Sequence, residues 1–524
     1  TWKKHSLVGL VGFSIEKYES DGLKASGSGF PDDQVLTNLN SAAKKNSISS
    51  SYSSNTLASF LSRLEYKFNN RYLLTLNFRA DGSSQFGPDK RWGYFPSGAV
   101  AWIITEENFM KDYSNIVSYL KLRGSVGKTG SQNLGAYDWR TLMGSATYNG
   151  AAGIVPSSLG NDILQWEEQI QKEVGLDYGF WDDRIRGTLG YYQKKVDNLL
   201  YSDPVPTSSS FSSVYQNIGS LKNRGIEFDV RVDIIKNVQK DLTWNVDFNI
   251  ARNRTTLEKL NSSDGYFGGG AYDYFKIEEG GETGRFYGYK DAGRLFMTNE
   301  ELVGLKTIDP KTGTLKYYRD DYNYERQGDV YIMDLDGDGQ ITADGDRTVI
   351  GNANPDFFGG FGSTLYWKGL MLNAVFSYSV GGDRFWDEEK NSSGDMNVYN
   401  TSNRILDSWT VNPGVNASYP RAMYYGWGSN SIITDRYIHD ASYLRMTALN
   451  LSYRLPKHLY KNSILNAVEF TFQATNLFTW TKYPGMDPQG NFSTTYSAFY
   501  NMGIDYSTYP SARTYNFGIK LTLK

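Results

Sequence analysis

The sequence predicts an all-β protein, a transmembrane antiparallel β-barrel. Three observations lead there: a strand-favouring composition, strict alternation of oily and polar residues, and connections that alternate between short and long.

Composition comes first. Aromatic residues make up 15% of the 524, with 40 Tyr, and glycine (53) far outnumbers proline (14). Tyrosine and β-branched residues suit a pleated surface, and glycine suits turns. Mean hydropathy is −0.51, and no run of about 18 apolar residues occurs, which excludes a helical membrane protein. It does not exclude a barrel, whose alternating strands average out as polar. The absence of cysteine removes disulfides, thiolate metal sites and cysteine nucleophiles from this chain. A formal net charge of −3 with no basic block argues against a nucleic-acid partner. Because Thr1 is not an initiator methionine, the expectation is that further polypeptide precedes it.

Alternation is the dominant pattern. Within 225–233 the apolar residues are Ile226, Phe228, Val230 and Val232, separated by Glu227, Asp229 and Arg231. Within 242–250 they are Leu242, Trp244, Val246, Phe248 and Ile250, with Thr243, Asn245, Asp247 and Asn249 facing the other way. Segments 72–80, 120–126, 166–180, 468–474 and 515–523 repeat the pattern. Period two places one set on each face of a strand. A soluble sheet with one wet face would also alternate. These runs, however, reach roughly ten residues, the length of a tilted membrane crossing.

Connection lengths decide between the two. Short turns are expected at Asn69–Asn70, 181–183, 236–240 and 368–369, and long connections at 19–55, 128–164, 256–355, 382–440 and 480–511. The two kinds fall at opposite strand ends, the outer-membrane pattern of short periplasmic turns and long extracellular loops. Strands are expected to begin near 3, 56, 71, 94, 116, 165, 184, 217, 241, 356, 370, 441, 466 and 512, about fourteen in all. The first would run outward and the last inward, leaving the C-terminus in the periplasm. Trp92, Tyr94 and Phe95 at one strand end, and Phe180 with Trp181 at a turn, would sit at headgroup level.

Several blocks then fit one family. Residues 71–105 read RYLLTLNFRADGSSQFGPDKRWGYFPSGAVAWIIT, followed by LKLRGSVGKTGSQ at 120–132, NIGSLKNRGIEFDV at 217–230, DLDGDGQITADGDRTVIGNANPDFFGGF at 334–361 and TNLFTWTKYPGMDPQG at 475–490. In this order they resemble the SusC/RagA-type TonB-dependent outer-membrane transporters. The resemblance implies a 22-stranded barrel, of which these would be the last fourteen strands, with the plug domain and the TonB-binding segment outside this chain. It also implies a SusD-like surface lipoprotein as lid, TonB as the energy-coupling partner, and an oligosaccharide or peptide as cargo. The sequence departs from many such barrels in ending on Lys524 rather than an aromatic residue. A non-transporting barrel that anchors a surface-binding protein is the alternative. No nucleophile or acid–base constellation favours an enzyme.

The sharpest local motif is a candidate calcium loop. Asp334, Asp336 and Asp338 occupy positions 1, 3 and 5, with Gly339 at 6 and Gln340 at 7. That spacing wraps a hard cation as in an EF-hand loop, with Gln340 supplying a backbone carbonyl. Position 12 is Gly345, so Asp346 closes the site only if the loop carries one extra residue, and Asp344 is the alternative. With no flanking helices the plainer reading is an Asx-rich turn. Loop aromatics Trp409, Tyr424, Tyr425, Trp427 and Trp480 could stack on sugar or pack on a lid. The glycines at 268–270 lack a strand–helix context for phosphate binding. His5, His439 and His458 lack ligand spacing.

Overall fold

The structure is a computed structural model that describes residues 4–32, 34–260, 274–276, 278–298, 301, 307–308, 315–316, 326–394, 400–422, 430, 432–461, 464–490, 502–506 and 508–523. Fourteen strands form one sheet: β1 (His5–Ser28), β2 (Lys44–Phe68), β3 (Tyr72–Ser83), β4 (Trp92–Ile103), β5 (Val117–Ser131), β6 (Glu167–Phe180), β7 (Ile185–Asp197), β8 (Ser220–Asn237), β9 (Leu242–Lys259), β10 (Phe357–Trp367), β11 (Leu370–Val380), β12 (Tyr443–Arg454), β13 (Leu465–Thr481) and β14 (Thr514–Leu523). Each pairs antiparallel with its sequence neighbour, and among the described residues β1 and β14 do not pair with each other.

Register keeps every oily set on one face. Leu176, Leu189, Phe228 and Ile250 stand directly across from one another on β6 to β9. Phe248, Phe361 and Phe376 continue the same face on β9 to β11. Many of these side chains are open to the surroundings, among them Val174 (58%), Ile226 (50%) and Phe517 (81%). A sheet that exposes an entire apolar face needs a non-aqueous surrounding.

The opposite face is tied together by polar contacts. Asp177 accepts from Lys121 at 3.0 Å and from Arg123 at 3.2 Å, and Arg123 also pairs with Glu173. Asn373 donates to Thr364 at 2.9 Å and accepts from Asn450 at 2.9 Å. Alternation in sequence thus becomes one oily and one charged wall.

The two ends of the sheet differ. Tight turns close one end, where Asn69 and Asn70 (φ 51° and 53°) and Lys368 and Gly369 (φ 48° and 88°) take left-handed backbone. Among the described residues, the longer links at this end, 104–116 and 455–464, carry only short 3₁₀ turns such as Asn108–Tyr113. Glu107 fastens the first of them, accepting from Tyr72 Oη at 2.6 Å, Arg71 at 3.0 Å and Trp102 Nε1 at 3.2 Å.

Several expected boundaries move. The connection expected at 19–55 shrinks to 29–43, because β1 and β2 pair as far as Ser28 and Lys44. This serine-rich arm is exposed on both faces, so no oily alternation marked it. β9 continues to Lys259, and β13 carries Trp480 within the strand. The 198–219 connection, not expected as long, contains its own hairpin of Leu200–Pro204 with Ser213–Asn217. Phe95 is a further correction. Its neighbours Trp92 and Tyr94 are exposed, but Phe95 points to the other face and is buried with Phe86, Leu164 and Trp166.

Candidate functional site

The long connections gather into a cap with its own cores. One contains Leu257, Tyr274, Phe286, Phe385, Tyr437 and Ile504, drawn from five separate stretches of chain. A second contains Leu295, Phe296, Val330, Ile332 and Ile341. Burial of these side chains makes the cap a folded body rather than a set of independent loops.

Charged groups are buried within it. Glu389 meets His439 Nε2 at 2.6 Å and Tyr419 Oη at 3.3 Å, and pairs with Arg404. The Arg404 guanidinium lies 4.6 Å from the Trp386 ring centroid. Asp387 accepts from Tyr274 Oη and from Asn391, both at 2.6 Å. Tyr483 donates to Asp505 at 2.8 Å, and burial together with the Asp505 charge pushes the phenol far above its usual range. Burial lowers the pKa of the Arg384 guanidinium, whose Nε finds no hydrogen-bond partner among the described residues. Burial also raises Asp383 and Asp435. These groups present aromatic faces and fixed charges of both signs, suited to holding a polar molecule.

The acidic loop folds locally. Asp334 accepts from Gly337 N–H at 2.7 Å and Gly339 N–H at 2.8 Å, Asp336 from Asp338 N–H at 3.1 Å, and Asp338 from Gln340 N–H at 2.8 Å. Gly337 and Gly339 supply the positive φ (77° and 83°) that the tight path requires. Carboxylate oxygens of Asp334, Asp336 and Asp338 lie within 4.8 Å of one another. Two oxygens bound about 2.3–2.6 Å from one calcium ion can lie up to about 5.2 Å apart, so the trio fits a hard cation.

Asp346 is not part of the trio. It is buried, ends the short turn Ala343–Asp346, and accepts from Leu335 N–H and Thr342 N–H, each at 2.7 Å. It therefore holds the two ends of the loop. Ile341 anchors the loop in the second core.

The expected aromatics have separate fates. Trp409 packs on the second core against Gly328, where an added Cβ would lie 2.2 Å from its Cγ. Trp480 is 52% exposed and stacks on Phe478 at 5.9 Å. Tyr424, Tyr425 and Trp427 lie outside the described residues, as do the glycines at 268–270. The group around Glu389 was not foreseen. The acidic run Asp387–Glu389 was its one sequence signal, because its partners are 15 to 50 residues away.

Comparison with known proteins places this geometry. Residues 4–422 match a family model described as TonB dependent receptor-like, beta-barrel. TonB-dependent receptor P3 of Formosa agariphila is 32% identical over 99% of this chain and 50% of its own length. TonB-dependent receptor SusC of Bacteroides thetaiotaomicron is 32% identical over 89% of this chain and 44% of its own. The chain thus spans about half the length of these relatives. The structure of the RagAB peptide transporter superposes with a TM-score of 0.79 and 27% identity, covering 99% of this chain and 53% of the matched one.

Proposed function

Because the chain belongs to the TonB-dependent receptor β-barrel family, whose members are outer-membrane transporters and receptors rather than enzymes, we propose that it forms the C-terminal wall and outer cap of a TonB-dependent nutrient importer. The observation that carries this reading is the two-faced sheet, with a broad oily band on one side and charged groups on the other. Such a wall suits lipid outside and an aqueous lumen inside. The fourteen strands are the last of a closed 22-stranded barrel. The tight turns and the C-terminus face the periplasm, and the cap faces outward.

Cargo is an oligosaccharide or a peptide, held beneath a SusD-like lipoprotein that sits on the cap. The RagAB neighbour is described as a peptide transporter, which supports the peptide class. The buried charges and aromatic rings around Glu389 and Trp386 serve either class. TonB acts on a part of the protein outside this chain. A structural calcium ion at Asp334, Asp336 and Asp338, beside Gln340 and the loop-closing Asp346, stiffens the cap.

Uptake tests the reading. Cells carrying the full-length protein should take up labelled oligosaccharide or peptide pools, and lose that uptake when TonB is removed. An outer-membrane barrel whose deletion leaves uptake of every pool unchanged would instead be a surface anchor.

A further inference from the structure

On the oily face the apolar runs of neighbouring strands end at one height on polar groups. Val126, Lys172, Gln193, Arg224 and Arg254 stand directly across from one another on β5 to β9. In the adjoining row toward the tight turns are Gly124, Val174, Tyr191, Ile226 and Arg252. Other cations on this face have partners: Lys128 with Glu168 (2.6 Å), Lys195 with Asp197 (3.0 Å), Lys222 with Glu258 (3.0 Å) and Arg254 with Asp356 (3.1 Å). Among the described residues, Lys172, Arg224 and Arg252 have none, and all three are exposed. Lys172 and Arg224 are two strands apart, roughly 10 Å, and Arg252 is diagonal to Arg224. Three unpaired cations at the upper edge of an apolar band call for an anion supplied by the membrane surface.

Beside Lys172 the same face is hollowed. A groove of about 720 Å³ has Gly98 and Gly124 in its floor, Leu76, Val126 and Tyr191 in its walls, and Lys172 at its lip. A Cβ added at Gly98 would meet only Leu76 Cδ2 at 3.5 Å, and at Gly124 only the Glu173 carbonyl at 3.8 Å. The backbone would tolerate side chains there, so the two glycines are what keep the groove open.

We infer that this surface is a lipid site: a phosphate-bearing lipid of the cap-side leaflet sets its headgroup among Lys172, Arg224 and Arg252 and lays an acyl chain in the Gly98–Gly124 groove. The site rests on the membrane-wall reading above.

The test uses full-length protein extracted from outer membranes and titrated in detergent with monophosphoryl lipid A or its dephosphorylated form, with native mass spectrometry as readout. The phosphorylated lipid should bind on the order of a hundredfold more tightly, given three cations at the surface. Lys172→Gln, Arg224→Gln and Arg252→Gln together should abolish that preference, and Gly124→Leu should weaken both lipids alike. Inorganic phosphate should leave bound lipid in place. Equal binding of the two lipids by the wild-type protein, a result that requires no variant to fold, overturns the site and leaves the importer reading standing. Absence of the protein from outer membranes overturns both.

Discussion

Arg445 and Asp487 are each less than a tenth exposed, and Arg445 Nη2 donates to Asp487 Oδ1 at 2.6 Å. Burial, the largest single influence, acts to raise the Asp487 carboxyl, but the hydrogen bond and charge of Arg445, together with the Gln489 and Ser511 N–H groups, outweigh it and hold the group below its usual 3.8. Its stabilisation is therefore present above the ordinary carboxylate pKa and is lost as the pH falls through the lower folded value. Asp329 is the reverse case. It accepts from Arg326 N–H, Asn430 and Arg421 at 2.7, 2.8 and 3.0 Å, yet full burial raises it above 3.8. Its contribution is present in acid and is lost as the pH rises through the folded value. Asp487→Asn strands a buried cation and should cost about 3–5 kcal/mol of cap stability at neutral pH. Asp329→Asn should cost less, since Arg421 keeps 25% of its side chain in solvent. Thermal melts of the two variants at neutral and acid pH check this. Equal costs at neutral pH would refute the ordering.

At the scale of elements, the acidic loop is a short segment whose fold and whose cation site depend on different groups. Backbone N–H groups already fix Asp334, Asp336, Asp338 and Asp346. Calcium at a hundred times its dissociation constant should then add about 2.7 kcal/mol to the cap, raising its melting temperature. Asp334→Asn with Asp336→Asn should remove that increment. Asp346→Asn should destabilise the loop whether or not calcium is present, because both of its oxygens accept backbone protons. An unchanged melting temperature on adding calcium would sink the proposal. Elements with one oily and one polar face were legible in the sequence: a strand expected from 370 begins at Leu370, and one expected near 71 begins at Tyr72. The β1–β2 arm was not, since beyond the oily band both its faces are wet and its serines carry no period. Likewise the aspartate trio could be read because it is contiguous. Glu389 and His439, 50 residues apart, meet only through the fold.

For the whole molecule, the exposed oily face and the outer edges of β1 and β14, unpaired among the described residues, set the requirements. Open edges leave backbone groups unsatisfied in lipid. Residues 1–524 expressed alone should therefore fail to give a heat-resistant monomer in detergent. A protease-resistant monomer of that piece would contradict this. The orientation of the wall is tested most directly by labelling. The chain holds no cysteine, so single cysteines can be placed in the full-length protein with the parent as blank. Ala152 is exposed on the hairpin that Met143–Tyr148 forms with Ala151–Pro156 in the long 132–166 connection, and Lys111 is exposed in the 104–116 link at the opposite end. A membrane-impermeant maleimide should label Ala152→Cys on intact cells, and Lys111→Cys only after the outer membrane is opened. Labelling of Lys111→Cys on intact cells, or protection of Ala152→Cys, would contradict a membrane wall whose cap faces outward.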